Sequence, residues 1–524
     1  MNSKEHQALL GTAAILATGL SVYYIISSSK NRIAYGESSN VKAYRDIPTP
    51  GSKLPYVGHL FSLGELPGRT LAKWNKELGP VIQIKMGHQN WVILGDPKIA
   101  HEIFATNGIA TSDRAAHTYF DYYSHGGKGI VCSNADKRWK KARTAALNVL
   151  APQRVDEFVD LIMMEADNLV NQLLTETKRH GQIDPGTTLN ASAMNVILST
   201  CFGKRVTSVD DPLFKEIMHF VHLSMKYGAV EGDLSQYMPI FAYLDVIAGK
   251  KRVFGDFIST VRDPLFSRLI KEAAESEKDC LIKSFLALKE EFNLDDKDLI
   301  VIMSDLLGAG SDTTAVSLSW MFVILSHYPQ IQKDLHAEID AFMNAHDGRL
   351  PTFEERDQVP LLTSVQKESF RFRPTSPFGI PHLSKEDFVV RDYFIPKGTV
   401  LVPNMEAMHM NSEVYDDPEV FKPERFLDNN KTMSSAANGG IDKRDHYNFG
   451  WGRRICPGIH LAEVEMFHVS TRIFANCMIE PPLDKNGKEM PIDIDAATNA
   501  GLVLVPTSYQ IRFTPRSDSP LRTL

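Results

Sequence analysis

Cysteine is scarce in this 524-residue chain. The five residues, Cys132, Cys201, Cys280, Cys456 and Cys477, are odd in number and lack metal-type spacing. That excludes a disulfide scaffold and a zinc ribbon, and it fits a reducing compartment. Cationic excess is also missing: 57 Lys and Arg against 64 Asp and Glu leave a net charge of −7, which argues against a general nucleic-acid binder. There is no internal repeat, no low-complexity tract and no complete flavin or nicotinamide motif. Gly308-x-Gly310 is half of a dinucleotide fingerprint, but no strand precedes it and the remainder is missing. Between His6 and Lys30 there is no charged side chain at all, and Ala8 to Ile26 is mostly apolar, long enough to cross a bilayer with little to spare.

What is present is ordinary for a large globular enzyme. Hydrophobic residues make up 43% and charged residues 23%, so a substantial core is available. Lys30, Arg32, Lys42 and Arg45 follow the apolar run, against Lys4 and the terminal amine before it, which keeps the bulk of the chain cytoplasmic. The competing reading is a cleaved signal peptide ending at Ser27-Ser28-Ser29. The organisation expected is a membrane anchor over 1–29, a basic linker and hinge over 30–56, and a main body over 57–524. The hinge, Ile47 to Pro55, holds three prolines and reads as a stiff spacer.

One cysteine has unusual company. Phe449-Gly450-Trp451-Gly452-Arg453-Arg454-Ile455-Cys456-Pro457-Gly458 sets a thiol between a glycine-rich loop and the apolar run Ile459-His460-Leu461-Ala462, which reads as a helix start. A thiolate there would face amides at the positive end of a helix dipole, with Pro457 in the first turn and Gly458 and Ile459 as donors. Gly452 and Gly458 let the backbone pass close to something flat, and Arg454 offers a cation for an acidic group on it. A buried structural cysteine in a tight turn is the plain alternative. A flat ligand carrying carboxylates and a metal that takes one sulfur suggest haem.

Phe449-x-x-Gly452-x-Arg454-x-Cys456-x-Gly458 resembles the cysteine-ligand loop of the cytochromes P450. The resemblance implies a mainly helical fold with a small β region behind an N-terminal transmembrane helix, with haem b ligated by Cys456. Three further motifs follow the family's order. Trp139 and Arg143 lie at i and i+4 on a helix over Asp136 to Leu150, and in the family such a pair reaches the haem propionates; a Trp and an Arg one turn apart also occur as plain stacking partners. A long, nearly all-round apolar helix over Asp295 to Tyr328 carries Ala309-Gly310-Ser311-Asp312-Thr313-Thr314. By resemblance Gly310 leaves room for dioxygen while Thr313, with Asp312 behind it, organises proton delivery. Glu368 and Arg371 sit at i and i+3, and Arg425 in Pro423-Glu424-Arg425-Phe426 completes a structural network that clamps the cysteine loop.

The pocket is expected from several segments. Tyr119 and Phe120 belong to a long aromatic loop over Thr111 to Asp136 that roofs the pocket in the family; packing down on the surface is an equal reading. Met303, Leu306 and Ala309 on the long helix, Phe378 and Ile380 before a strand, and Leu502 near the C-terminus supply apolar walls. His382 stands where the family often has a propionate-binding arginine. Paired strands are expected over Val81 to Met86 and Trp91 to Leu94, with more over Val389 to Val402 and Ala500 to Ile511.

The activity implied is monooxygenation of a hydrophobic small molecule (a steroid, terpenoid, fatty acid or xenobiotic) with O2 as co-substrate. With no flavin or nicotinamide motif, electrons must come from a separate NADPH-cytochrome P450 reductase, with cytochrome b5 as a second candidate donor, at the endoplasmic reticulum membrane. Lys137, Arg138, Lys140, Lys141, Lys443, Arg444 and Arg453 form the expected docking face. Two rivals remain open: a reductase-independent isomerase or dehydratase acting on peroxides, and a haem-holding sensor without turnover.

Overall fold

The computed structural model describes residues 44–517, so the expected anchor over 1–29 lies outside the described residues. The proline segment, expected to be stiff, is fixed to the body. It is laid along the body, where Pro48 accepts the Gln83 N–H at 2.8 Å, the Pro50 carbonyl pairs with the buried His59 ring at 3.1 Å, and Arg45 N–H reaches Asp392 at 2.8 Å.

Helix α1 (Pro67–Leu78) leads into strands β1 (Val81–Met86) and β2 (Gln89–Leu94), which pair antiparallel across a Gly87-His88 turn. Alternation then fixes two faces. Ile82, Ile84, Met86, Trp91 and Ile93 pack into one small core, and Val81, Val92 and Leu94 into another. Helix α2 (Pro97–His101) continues as a π-helical turn over Glu102–Thr106. The aromatic loop is less irregular than its sequence, holding β3 (Asp113–Arg114) and α3 (Thr118–Tyr123). Helix α4 (Lys137–Val149) starts on an Asp136 cap whose carboxylate takes the Trp139 N–H at 2.7 Å.

A helical bundle makes up most of the protein. It includes α5 (Val159–His180), α6 (Gly186–Phe202) and α7 (Pro212–Gly228) around the central α8 (Asp296–Ser326), followed by α9 (Pro329–Ala345) and α10 (Pro360–Phe372). A reciprocal capping box between Asp295 and Asp298 starts α8, and at 31 residues it is about 46 Å long. It is the one helix among the described residues apolar and long enough to cross a membrane, and its side chains lie instead in the main core.

Strands β4 (His382–Leu383) and β7 (Val400–Pro403) complete a five-stranded sheet of order β1-β2-β7-β4-β3, with β5 (Phe388–Val390) and β6 (Tyr393–Ile395) as a separate hairpin. Only β2 and β7 run parallel, with Trp91 opposite Val400. Helix α11 (Ile459–Asn476) packs under the bundle. The pairs β8 (Cys477–Glu480) with β11 (Arg512–Pro515), and β9 (Ala497–Asn499) with β10 (Leu504–Pro506), close the chain.

Candidate active site

The cysteine loop sits at the start of α11. Cys456 N–H donates to Phe449 at 2.9 Å and Gly450 N–H to Tyr447 at 3.0 Å, so the chain folds back beneath the sulfur. The helix begins at Ile459 with Gly458 as its cap, which leaves Pro457 ahead of the helix and not in its first turn. The Gly458 amide and Arg143 both favour the thiolate, but burial outweighs them and the Cys456 thiol is raised overall. Burial thus works against the thiolate more than the helix terminus works for it, and a coordinated cation would favour the thiolate. Gly458 faces open space, where a Cβ would meet nothing. Gly452 has a different role from the one expected. At φ +53° it lies against the turn after α2, and a Cβ there would be 2.3 Å from the Phe104 carbonyl, so its close approach is to backbone. The Phe449 ring packs 5.6 Å from Phe370.

Around this loop lie three buried guanidiniums. Trp139 and Arg143 are buried on one face of α4; the indole N–H donates to Ile130 at 3.1 Å, and Arg143 donates to the Ile455 carbonyl beside the cysteine. Arg454 stacks 4.3 Å over the Trp139 ring and spends N–H groups on Ser112 (2.8 Å), Ile130 (2.9 Å) and Ser133. Arg114, which sequence reasoning missed, donates to Val131 at 2.9 Å and Ile380 at 2.7 Å. Burial first, then mutual repulsion, pushes Arg454 down to about 8; burial, with Arg143 adding to it, pushes Arg114 down to about 10. Among the described residues none of the three forms an ion pair with a carboxylate. Buried cations without a counterion are costly, so the seat fits a flat ligand that brings carboxylates of its own.

His382 is not one of these cations. Its Nδ1 donates to the Thr111 carbonyl at 2.7 Å, and burial followed by Arg114 pushes its pKa well below the usual value. The neutral ring then offers only an acceptor at Nε2, which cannot hold a carboxylate. Arg114, on the strand beside it, supplies the charge that the sequence assigned to position 382.

The middle of α8 breaks the pattern of a buried helix. Leu306, Gly308, Ala309, Asp312 and Thr313 keep accessible surface while the turns on either side are buried. Thr313 Oγ1 donates back to Ala309 at 2.6 Å, which leaves its oxygen free to accept. Among the described residues Asp312 has no cation beside it, and burial alone pushes it up to about 6. Gly310 keeps accessible surface as well, and a Cβ there would fall 2.6 Å from Ile197 on α6, so the glycine makes room for helix packing. One turn on, Ser317 bonds both the Thr313 carbonyl and the Thr375 hydroxyl at 2.8 Å.

The expected pocket residues divide. Phe378, Ile380 and Leu502 are half-buried near this region, and the Leu502 carbonyl is fixed by Ser376 at 2.7 Å. Met303 is wholly buried in the helical core. Tyr119 is committed to packing: its hydroxyl bonds Ser224 at 2.9 Å and its ring contacts Tyr123, Tyr227, Phe254 and Phe257. Phe120 stacks on His117 at 4.5 Å and stays half-buried. The basic face also narrows. Lys137, Lys140, Lys141 and Lys443 are exposed, but Arg138 is held by Asp295 and Asp298, and Arg444 is buried over Tyr447 and Trp451.

The structural network is present and larger than expected. Glu368 takes two bonds of 2.7 Å from Arg371 and one of 3.2 Å from Arg425. Beside it the buried Lys367, which sequence reasoning passed over, bonds the Asn429 and Lys431 carbonyls at 2.6 and 2.9 Å and lies 3.2 Å from Asp445.

Comparison with known proteins agrees with this geometry. The family profile of cytochrome P450 matches residues 48–513. Cytochrome P450 monooxygenase 58 of Postia placenta is 28% identical over 478 residues, covering 90% of this chain and 89% of the relative. Cytochrome P450 1A1 of Opsanus tau is 29% identical over 466 residues, covering 85% and 86%. In fold, a zebra fish cytochrome P450 solved with abiraterone superposes with a TM-score of 0.70 at 24% identity, covering 86% of this chain and all of the other. A second, with progesterone, gives 0.71 at 23%. Because the profile runs from the proline segment to the last strand, it accounts for the whole described body: this chain belongs to the cytochrome P450 family of haem-iron monooxygenases.

Proposed function

We propose that the protein hydroxylates a hydrophobic small molecule, of the size and polarity of a steroid, terpenoid, fatty acid or apolar xenobiotic, with O2 and electrons delivered by an NADPH-dependent reductase. The observation that carries this reading is the Asp312-Thr313 pair on the stretch in the middle of α8 that keeps open surface. Haem held by Cys456 and seated on Arg114, Trp139, Arg143 and Arg454 would activate dioxygen, one atom of which enters the substrate.

The protein's own residues do the rest. Asp312, with a pKa near 6, gains and loses a proton close to neutral pH. Thr313 Oγ1, whose proton is given to Ala309, accepts a hydrogen bond from water and fixes its position. Leu306, Ala309, Phe378, Ile380 and Leu502 offer apolar contact and keep bulk water out.

A membrane location is part of the same proposal. Tyr243, Val246 and Ile247 are 77%, 76% and 82% exposed on the short helix Ala242–Ile247, and Phe61 is 71% exposed. Apolar surface of this kind suits contact with the bilayer in which apolar substrates partition. The test is NADPH consumption by the haem-loaded protein with an NADPH-dependent reductase, across a panel of apolar compounds. Consumption should rise with a subset of them, and the reduced protein should show the thiolate-type band with carbon monoxide. Peroxide rearrangement without reductase, or a folded holoprotein lacking that band, would overturn the reading.

A further inference from the structure

We infer that Asp305 is a positioning residue for the haem seat, acting through the single peptide group that joins Ile130 to Val131. Asp305 lies on α8, one turn before Ala309, and is buried. Its Oδ2 accepts the Ile130 N–H at 2.8 Å and the Val131 N–H at 3.2 Å. The Val131 N–H and the Ile130 carbonyl belong to the same peptide. That carbonyl accepts the Trp139 indole at 3.1 Å and Arg454 Nη1 at 2.9 Å. A carboxylate at one end of a peptide polarises the carbonyl at the other and strengthens the bonds it receives.

The neighbouring peptides extend the arrangement. The Val131 carbonyl takes Arg114 Nε and the Ser133 carbonyl takes Arg454 Nη2. The strip 129–133 therefore gives the Ile130 and Val131 amides to α8 and the Ile130, Val131 and Ser133 carbonyls to the seat. Arg454 spends Nε and one N–H from each terminal nitrogen on carbonyls, which orients its plane and leaves one N–H on each terminal nitrogen for a haem carboxylate. Gly129, at φ +79°, is what lets the strip come this close: a Cβ there would lie 2.4 Å from Val301 and 2.7 Å from Asp305. Burial raises the Asp305 carboxyl to about 6, a cost an apolar side chain at this depth would not carry. The same carboxyl also takes a hydrogen bond from the Tyr123 side chain and feels the Arg262 charge; toward the seat it acts through the Ile130–Val131 peptide, on the direction and strength of the Trp139 and Arg454 bonds.

This inference rests on the reading that Arg454, held against the Trp139 ring, takes a haem carboxylate, the single indole N–H being already given to Ile130. The test uses haem-loaded wild type, Asp305→Asn, Asp305→Ala and a core control, Leu299→Ala. Two quantities are read: the rate of haem transfer to excess apomyoglobin, and the resonance Raman bands of propionate bending. Asp305→Asn should release haem roughly tenfold faster, the effect of weakening one charge-assisted hydrogen bond. Its propionate bands should shift, while Leu299→Ala loses stability with bands unmoved. Should Asp305→Ala fail to fold, the near-isosteric Asn variant still decides. Wild-type bands in Asp305→Asn, with haem release no faster than in the control, would overturn the inference. Failure of the wild type to bind haem would instead overturn the reading of the seat.

Discussion

Glu368 holds Arg371 through two bonds of 2.7 Å, and neither side chain is reached by solvent. Arg371 passes the constraint on to the His409 and Pro418 carbonyls at 2.9 and 2.7 Å, in the segment that leads to the cysteine loop. Removing one partner of such a pair strands a buried charge, at a cost of about 3–5 kcal/mol. Glu368→Ala should therefore fold poorly and retain little haem. Glu368→Gln should keep the fold but show a lower urea midpoint and a reduced yield of the thiolate-type carbon monoxide band. A wild-type midpoint in Glu368→Ala would remove the network from the account.

Gly310 gives a test that separates packing from chemistry. If its missing side chain serves Ile197, Gly310→Ala should lower stability by up to about 2 kcal/mol, the overpacking penalty less the gain in helix propensity. Trimming the opposing residue with Ile197→Val should recover much of that loss, a coupling a double-mutant cycle measures directly. The carbon monoxide spectrum should not move. A stable Gly310→Ala protein with altered ligand binding would place the glycine at the bound ligand and not at the helix contact.

The pH dependence of stability turns on buried acids. Glu463 is buried on α11, where it accepts the Met433 N–H at 2.7 Å, and burial pushes it up to about 7 from an ordinary 4.5. Its folded pKa lies above its unfolded one, so its contribution is complete below pH 4.5 and is lost as pH rises through 7. At full expression this is at most about 3 kcal/mol. Buried histidines act in the opposite sense: His446 and His468, both depressed to about 3, lose their contribution as pH falls below 6.5. Urea denaturation should show Glu463→Gln matching wild type near pH 5 and exceeding it at pH 8. A constant difference across that range would contradict the assignment.

How much of this was legible depended on how local each cause was. The helices around Trp139 and Thr313 followed from apolar period and caps, and the cysteine loop from residues adjacent in the chain. Arg114 was not visible, because Asp113-Arg114 reads as a charged loop dipeptide and its burial is set by Ile380, 266 positions away. Lys367 was not singled out, because nothing local marks a helical lysine as buried; its cover comes from the chain near Asn429, 62 positions on. His382 was read by its place in a motif, whereas its charge is decided by the Thr111 carbonyl and the neighbouring guanidinium. Gly310 was read as facing a ligand because sequence gives a helical residue's neighbours along the chain, not which face meets Ile197.

Lys137, Lys140 and Lys141 remain as exposed cations at the start of α4, the helix that carries Trp139 and Arg143 to the seat. With Arg138 already held by Asp298 and Arg444 buried, these lysines and Lys443 are what an acidic electron donor would meet. Rim charges of this kind act on encounter rate and are screened beyond about 10 Å at 0.1 M salt. The double reversal Lys140→Glu, Lys141→Glu should therefore weaken apparent affinity for an NADPH-dependent reductase by about tenfold at low salt, with the gap closing as salt rises. Haem content and the carbon monoxide band should stay at wild-type levels, because neither lysine touches the seat. Unchanged reductase affinity at low salt would move the docking surface away from α4.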